Sequence, residues 1–496
     1  MEQFDVVIVG AGLSGIGAAC HLRRLCPGRT FVLLEARAAI GGTWDLFRYS
    51  GVRSDSDMCT LGYQFKPWRG AKAIADGPAI LAYVEETARE NDITRHIRFG
   101  HRAASASWSS AEARWKVEVE RADGGGPVRF GCAMLLLCGG YYRYDRGHLV
   151  ALAGAEDFQG TIVHPQFWPH DVDYAGKRVV VIGSGATAMT LVPALARSAA
   201  HVTVVQRSPT YVVSWPDVDP IAKRLKRYLP ARLAYALTRW KNIRFDVAFY
   251  RRTRTHPEVV KADLIGLVRQ KLGPDCDVAT HFTPRYGPWD QRLCLIPNDD
   301  LFNAIMAGTA SVVTDRIQRF TTTGLRLASG TDIPTDIIVT ATGLEIQVLN
   351  GMALTVDGRP VNLPDTVLYK GMMFNDVPNL VQTFGYINAS WTLRADLTAE
   401  FPCRLLNRMA ARGLRQATPR IGAPDPDMER PPWIEGFSAG YVQRALPFMP
   451  KQGDRGPWRH TQDYAKDKAM IRGAPIEDGV LELSNPPPGG ACCMAA

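Results

Sequence analysis

The chain has 496 residues, 46% hydrophobic and 22% charged, with a formal net charge of +9. This is ordinary for a soluble globular protein and leaves room for two or three domains with ample core. No apolar run of about 18 residues occurs, which excludes a membrane-spanning helix, and the acidic start Met1-Glu2-Gln3-Phe4-Asp5 lacks the basic stretch of a secretory signal.

The ten cysteines are scattered, with no Cys-x-x-Cys, and read as reduced thiols of a cytoplasmic protein. The vicinal pair Cys492-Cys493 reads as incidental. No His/Cys cluster has ligand spacing, so no metal site is predicted.

Residues 4–36 read as strand, turn, helix and strand. The turn is Gly10-Ala11-Gly12-Leu13-Ser14-Gly15. Gly10 serves the tight turn, Gly12 the approach of a pyrophosphate and Gly15 the packing of helix on strand. The free N–H groups and dipole of the helix start favour an anion. Glu35 closes the second strand, placed to accept hydrogen bonds from a ribose diol. The pattern predicts a dinucleotide without separating FAD from NAD. Gly41-Gly42-Thr43-Trp44 follows, and Thr43 and Trp44 join the cofactor-binding candidates.

Residues 72–100 look helical. Residues 101–138 alternate like short antiparallel strands and close with the buried run Met134 to Cys138. Then comes Phe158-x-Gly160-x-x-x-His164-x-x-x-Trp168. Residues 177–207 repeat the first plan, with Gly183-Ser184-Gly185-Ala186-Thr187-Ala188 at the turn. Here the second strand ends in Gln206-Arg207-Ser208, without the acid that would repel a 2′-phosphate. Arg207 supplies charge-assisted hydrogen bonds to such a phosphate and Ser208 a hydroxyl, which selects NADPH. Two nucleotide sites joined by one linker predict two redox cofactors face to face, FAD at the first site and NADPH at the second.

A helical segment, 217–275, interrupts the second unit. Within it, Ile221 to Arg254 holds eleven Lys/Arg and one acid, Asp246. This stretch reads either as a solvated helical insertion or as a surface for peripheral membrane contact. No recognition motif accompanies the charge, so nucleic acid is not a predicted partner. Residues 309–343 are strand-like again. The predicted architecture is α/β: two Rossmann-like dinucleotide-binding domains, with the NADP-binding domain (146–343) inserted into the FAD-binding domain (1–145 and 344–480). Residues 481–496 read as a disordered tail.

At the linker the chain resembles the type I Baeyer–Villiger monooxygenases, whose fingerprint is matched by Phe158, Gly160, His164, Trp168 and Pro169. Longer blocks are similar to the ethionamide-activating subgroup of that family: Gly41 to Tyr49, Arg53 to Met58, Tyr286 to Cys294 and Gly385 to Leu393. Ser50 departs from the family's usual proline. The resemblance implies that Arg292 is the active-site arginine, that Asp55 is its carboxylate partner, and that His164 and Trp168 couple domain motion to cofactor handling. It implies conversion of ketones to esters or lactones with O2 through a C4a-peroxyflavin, with sulfides or thioamides also oxidised. Trp289, Tyr386 and Trp391 are candidates for the apolar wall of such a site. Two readings compete: a flavin-containing S/N-monooxygenase without ketone activity, and a flavin-binding sensor docked on a membrane through 221–254.

Overall fold

The apolar run after Phe4 becomes the centre of a mixed sheet. The protein is described by a computed structural model covering residues 1–148, 150, 153–422 and 427–486. Strand Glu2–Val9 lies parallel to Phe31–Leu34 on one side and to Val128–Leu137 on the other. Side chains alternate across a sheet: Val6 and Ile8 enter one core while Val7 enters the other. Helix Leu13–Leu25 packs with Trp391–Ala411 over the first core. Trp108, Trp115 and Trp433 fill the second.

The far edge of Val128–Leu137 is shared. Its first half pairs antiparallel with Arg114–Arg121, and its last residues pair parallel with the returning strand Leu380–Gln382. Ala353–Val356 also returns, alongside His101–Ser109. Residues after about 345 therefore complete the first sheet.

The second unit is a sheet of five parallel strands among the described residues, in the order Ala310–Thr314, His201–Gln206, Arg178–Ile182, Ile337–Thr340, Thr161–Val163. Helix Ala186–Leu195 covers one face and the antiparallel strands between Ile317 and Pro334 cover the other. This unit is inserted into the first, and its helical excursion comprises Pro220–Tyr228, Ala231–Thr255 and Pro257–Leu272.

Two local readings are corrected. The helix expected over 72–100 is Gly77–Glu90: the Asp76 carboxylate caps its start by accepting the Ala79 N–H, and Asn91-Asp92, with Asp92 at φ +53°, ends it. The tail is ordered at its beginning, because Leu481–Ser484 pairs antiparallel with Gln416–Pro419 and buries Leu481. The alternation Leu-Glu-Leu-Ser gives that strand one apolar face, which the proline run after it obscured. Residues 487–496, with Cys492 and Cys493, lie outside the described residues. The eight described cysteines are free thiols. No described helix is long and apolar enough to cross a membrane.

Candidate active site

Each strand–helix turn is set by its glycines. Gly10 has φ +101°, and a methyl group there would lie 2.8 Å from the Cα of Gly139. Gly183 repeats this at φ +128°, with the methyl 2.4 Å from the Ala341 carbonyl. At Gly15 a methyl would meet the Gly10 carbonyl, while Ala188 is buried at the equivalent place in the second unit. Gly12 and Gly185 differ. A methyl at Gly12 would make only ordinary contacts, and one at Gly185 would meet nothing within 4 Å. The protein itself leaves space at both. Helices Leu13–Leu25 and Ala186–Leu195 also start without a side-chain cap. Their first N–H groups are therefore left without a side-chain acceptor, as an anion site requires.

Glu35 ends its strand with the carboxylate buried. Oε2 accepts the Ala11 N–H at 2.7 Å and Oε1 the Arg37 N–H at 2.9 Å. Burial pushes its pKa up despite those two donors and the Arg37 guanidinium. Thr43 starts a short helix and its hydroxyl meets that of Tyr144 at 3.3 Å, while Trp44 lines the cleft beside it. In the second unit Arg207 and Ser208 are exposed at the end of their strand. Among the described residues Arg207 has no hydrogen-bonding or ionic partner. Ser184 donates its hydroxyl to the Ser208 carbonyl at 2.9 Å.

A cleft of about 690 Å³ joins the units, lined by Gly10, Gly12 and Glu35 at one end and by Thr187, Thr190 and Arg292 at the other. It lies at the carboxyl ends of the central strands, where open α/β sheets bind ligands. Arg292 and Asp55 meet in it, with Nε 2.7 Å from Oδ2 and their side chains 29% and 35% exposed. Each comes from a loop pinned by its own carboxylate. Asp290 accepts the Gly287 N–H at 2.8 Å and binds Arg254. Asp57 caps the next helix while Arg53 pairs with Asp300 of the other unit at 2.6 Å.

Burial alone would lower the pKa of Arg292. Asp55 and the phenol groups of Tyr141, Tyr441 and Tyr142 outweigh it and raise the value, so the guanidinium stays charged. Beyond the Asp55 pair its guanidinium has no protein partner among the described residues, and the residue lines the cleft.

The aromatic wall is partly as expected. Trp391 lines the cleft, donating its indole N–H to the Ser14 hydroxyl at 2.7 Å and stacking on Tyr141 at 5.1 Å. Tyr386 lines it too and donates to Asp467 at 2.7 Å, a carboxylate that also pairs with the fully buried Arg394. Trp289 does not: at φ +67° it makes an edge contact with Tyr250 and packs with the Tyr211 and Leu264 cluster instead. Tyr141 and Tyr142, joined by a 2.6 Å hydroxyl hydrogen bond, were missed. Their signal was the buried strand running into Gly139-Gly140, since a strand's carboxyl end faces the ligand crevice.

The linker motif lies where the chain crosses between units. Thr342 donates its hydroxyl to the His148 carbonyl at 2.6 Å, and the Arg143 N–H donates to the Glu345 carbonyl at 2.8 Å, tying the two crossings together. The Gln166 side chain donates to the Arg143 carbonyl at 2.7 Å. His164 accepts the Gln166 N–H at Nδ1, and burial lowers its pKa against the backbone of Gly343, which raises it. Phe158 and Trp168 pack into the cores on opposite faces of the second sheet, and a methyl on Gly160 would strike the Asp336 carbonyl at 2.4 Å.

Residues 73–251 match the family model described as flavin-binding monooxygenase-like, and residues 8–67 match the NAD(P)-binding Rossmann-like domain. The FAD-containing monooxygenase EthA of Mycobacterium tuberculosis is 52% identical over 487 residues, covering 98% of this chain and 99% of that protein. The EthA of Mycolicibacterium smegmatis is 51% identical, with 97% of each chain covered. Among solved structures, an oxidized steroid monooxygenase bound to NADP superposes with a TM-score of 0.77 at 22% identity, covering 97% of this chain and 100% of that one. At that identity the likeness speaks for the fold.

Proposed function

Because this chain belongs to the FAD-containing monooxygenases, we propose that it is an NADPH- and O2-dependent Baeyer–Villiger monooxygenase, converting ketones to esters or lactones and also oxidising sulfides or thioamides. The observation that carries this reading is a charged arginine, paired with Asp55, that lines the cleft between two dinucleotide folds.

The residues present fit both cofactors. Room at Gly12 and Gly185, uncapped helix starts and the Glu35 carboxylate suit two dinucleotides, FAD at the first turn and NADPH at the second. Arg207 and Ser208 would take the 2′-phosphate of NADPH. Bound there, FAD reduced by NADPH activates O2 and supplies the oxygen atom that enters the substrate.

The chain's own part is binding, orientation and electrostatics. Arg292 offers a permanent positive fork to the oxygen of a carbonyl substrate as negative charge develops on it. Asp55 fixes the guanidinium's direction. Tyr141, Tyr386 and Trp391 limit water beside it. His164 and Trp168, where the chain crosses between the units, would couple movement of the second unit to cofactor handling.

The test is to incubate the purified FAD-bound chain with a simple methyl ketone, NADPH and O2. A product 16 mass units heavier that hydrolyses to an acid and an alcohol is expected. A sulfide oxidised to its sulfoxide while no ketone of a broad panel gives ester would leave the S/N-oxygenase reading in its place.

A further inference from the structure

The helical excursion carries a surface that the cleft does not use. Helix Ala231–Thr255 is anchored by one stripe. Tyr235 donates its hydroxyl to the Tyr63 carbonyl at 2.9 Å, and Arg239 donates through Nη1 to the carbonyls of Cys59, Thr60 and Gly62 at 2.7, 3.1 and 2.9 Å. Ala234 and Thr238 are buried beside them. This fixes which way the opposite stripe points. Leu233, Leu237, Trp240 and Arg244 follow one another at helical spacing on that outer side.

Large apolar groups are unusually exposed here: Trp240 is 61% exposed, Leu233 47% and Leu237 40%, and on the adjoining helix Pro220–Tyr228, Tyr228 is 72% and Ile221 52% exposed. Among them stand Lys223, Arg224, Arg227, Arg232 and Arg244, none with an acidic partner among the described residues. Arg244 lies 5.4 Å over the ring of Trp240 and Arg227 lies 5.7 Å over that of Tyr228. Elsewhere on the excursion Lys241 pairs with Asp219, Arg252 with Asp263 and Arg254 with Asp290, while Arg251, Lys261 and Arg269 have no ion pair among the described residues. The single acid of the basic stretch, Asp246, faces an inner cavity of about 220 Å³ instead.

We propose that this outer face docks on an anionic lipid bilayer, with Trp240, Tyr228 and Leu237 at the headgroup–acyl boundary and the unpaired cations on lipid phosphates. Apolar side chains interleaved with free cations match that boundary, where aromatic rings and basic residues both gain. A second copy of the chain fits less well, since a symmetric contact would set the same cations against themselves.

The test uses the full FAD-bound chain in flotation with phosphatidylcholine vesicles, with and without phosphatidylglycerol, at low and high salt. Flotation is expected only with the anionic vesicles, and it falls as salt rises. Removing two cations together, Arg224→Gln with Arg227→Gln, is expected to weaken partition about 30-fold. Trp240→Ser weakens it as well, and both variants keep the parent's FAD content and melting temperature. Three results overturn the proposal: no flotation with anionic vesicles at low salt, flotation indifferent to both sets of substitutions, or an oligomer in sedimentation that Trp240→Ser dissolves, which would make the face a contact between copies.

Discussion

Replacing Arg292 with alanine removes the charged fork and leaves the cleft otherwise built. Its Nε is 2.7 Å from Asp55 and its Nη groups have no hydrogen-bond acceptor on the protein among the described residues. Its loss therefore acts on the substrate side more than on folding. A preorganised donor facing a developing oxyanion is commonly worth about 10² to 10³ in rate. Asp55, left behind with 35% of its side chain exposed, is reached by water, so the stability change stays near 1 kcal/mol. Arg292→Lys keeps the charge but offers a point in place of a fork, and its rate is expected between the two. The assay counts ester by mass spectrometry per NADPH oxidised, with hydrogen peroxide and bound FAD measured in parallel. The alanine variant should stay yellow and consume NADPH while its oxygen is released as hydrogen peroxide. Ester formed within about threefold of the parent rate, with FAD retained, would refute the assignment of Arg292.

Gly183→Ala and Gly185→Ala should separate folding from binding: the first strikes the Ala341 carbonyl and loses soluble, folded chain, whereas the second keeps the parent melting temperature and raises the KM for NADPH, as steady-state kinetics would reveal. Arg207→Ala should cut the preference for NADPH over NADH by about ten- to a hundredfold, the worth of a hydrogen bond to a charged group, read from the ratio of kcat/KM values. Asp246 is pushed up to about 7 by burial and then by Asp57. Between about pH 4 and pH 7 the folded chain keeps a proton that the unfolded chain has released, so stability falls as pH rises through that window. Asp246→Asn should melt higher than the parent at pH 8, by up to about 4 kcal/mol before solvation of the cavity discounts it, and match the parent near pH 4. Equal melting temperatures at pH 8 would show that the carboxyl is solvated.

The sequence by itself determined both strand–turn–helix units. Their signals are local: Gly10 and Gly183 take backbone angles other residues resist, Glu35 and Arg207 sit at a fixed distance along their own strands, and apolar runs alternate with the pleat. It also marked the insertion, because the first sheet's strand pattern resumes after the second ends. Resemblance, more than pattern, picked out Arg292 and Asp55 as partners, and the tertiary structure supplies the contact, 2.7 Å between loops of different units. Tyr141 and Tyr142 entered the site, and Trp289 left it, for the same reason: the cleft is made where the chain crosses twice between domains, and a side chain's place there depends on packing across that gap. Local residue types set the backbone turns, but a site between two bodies takes its geometry from contacts that no stretch of one strand or helix contains.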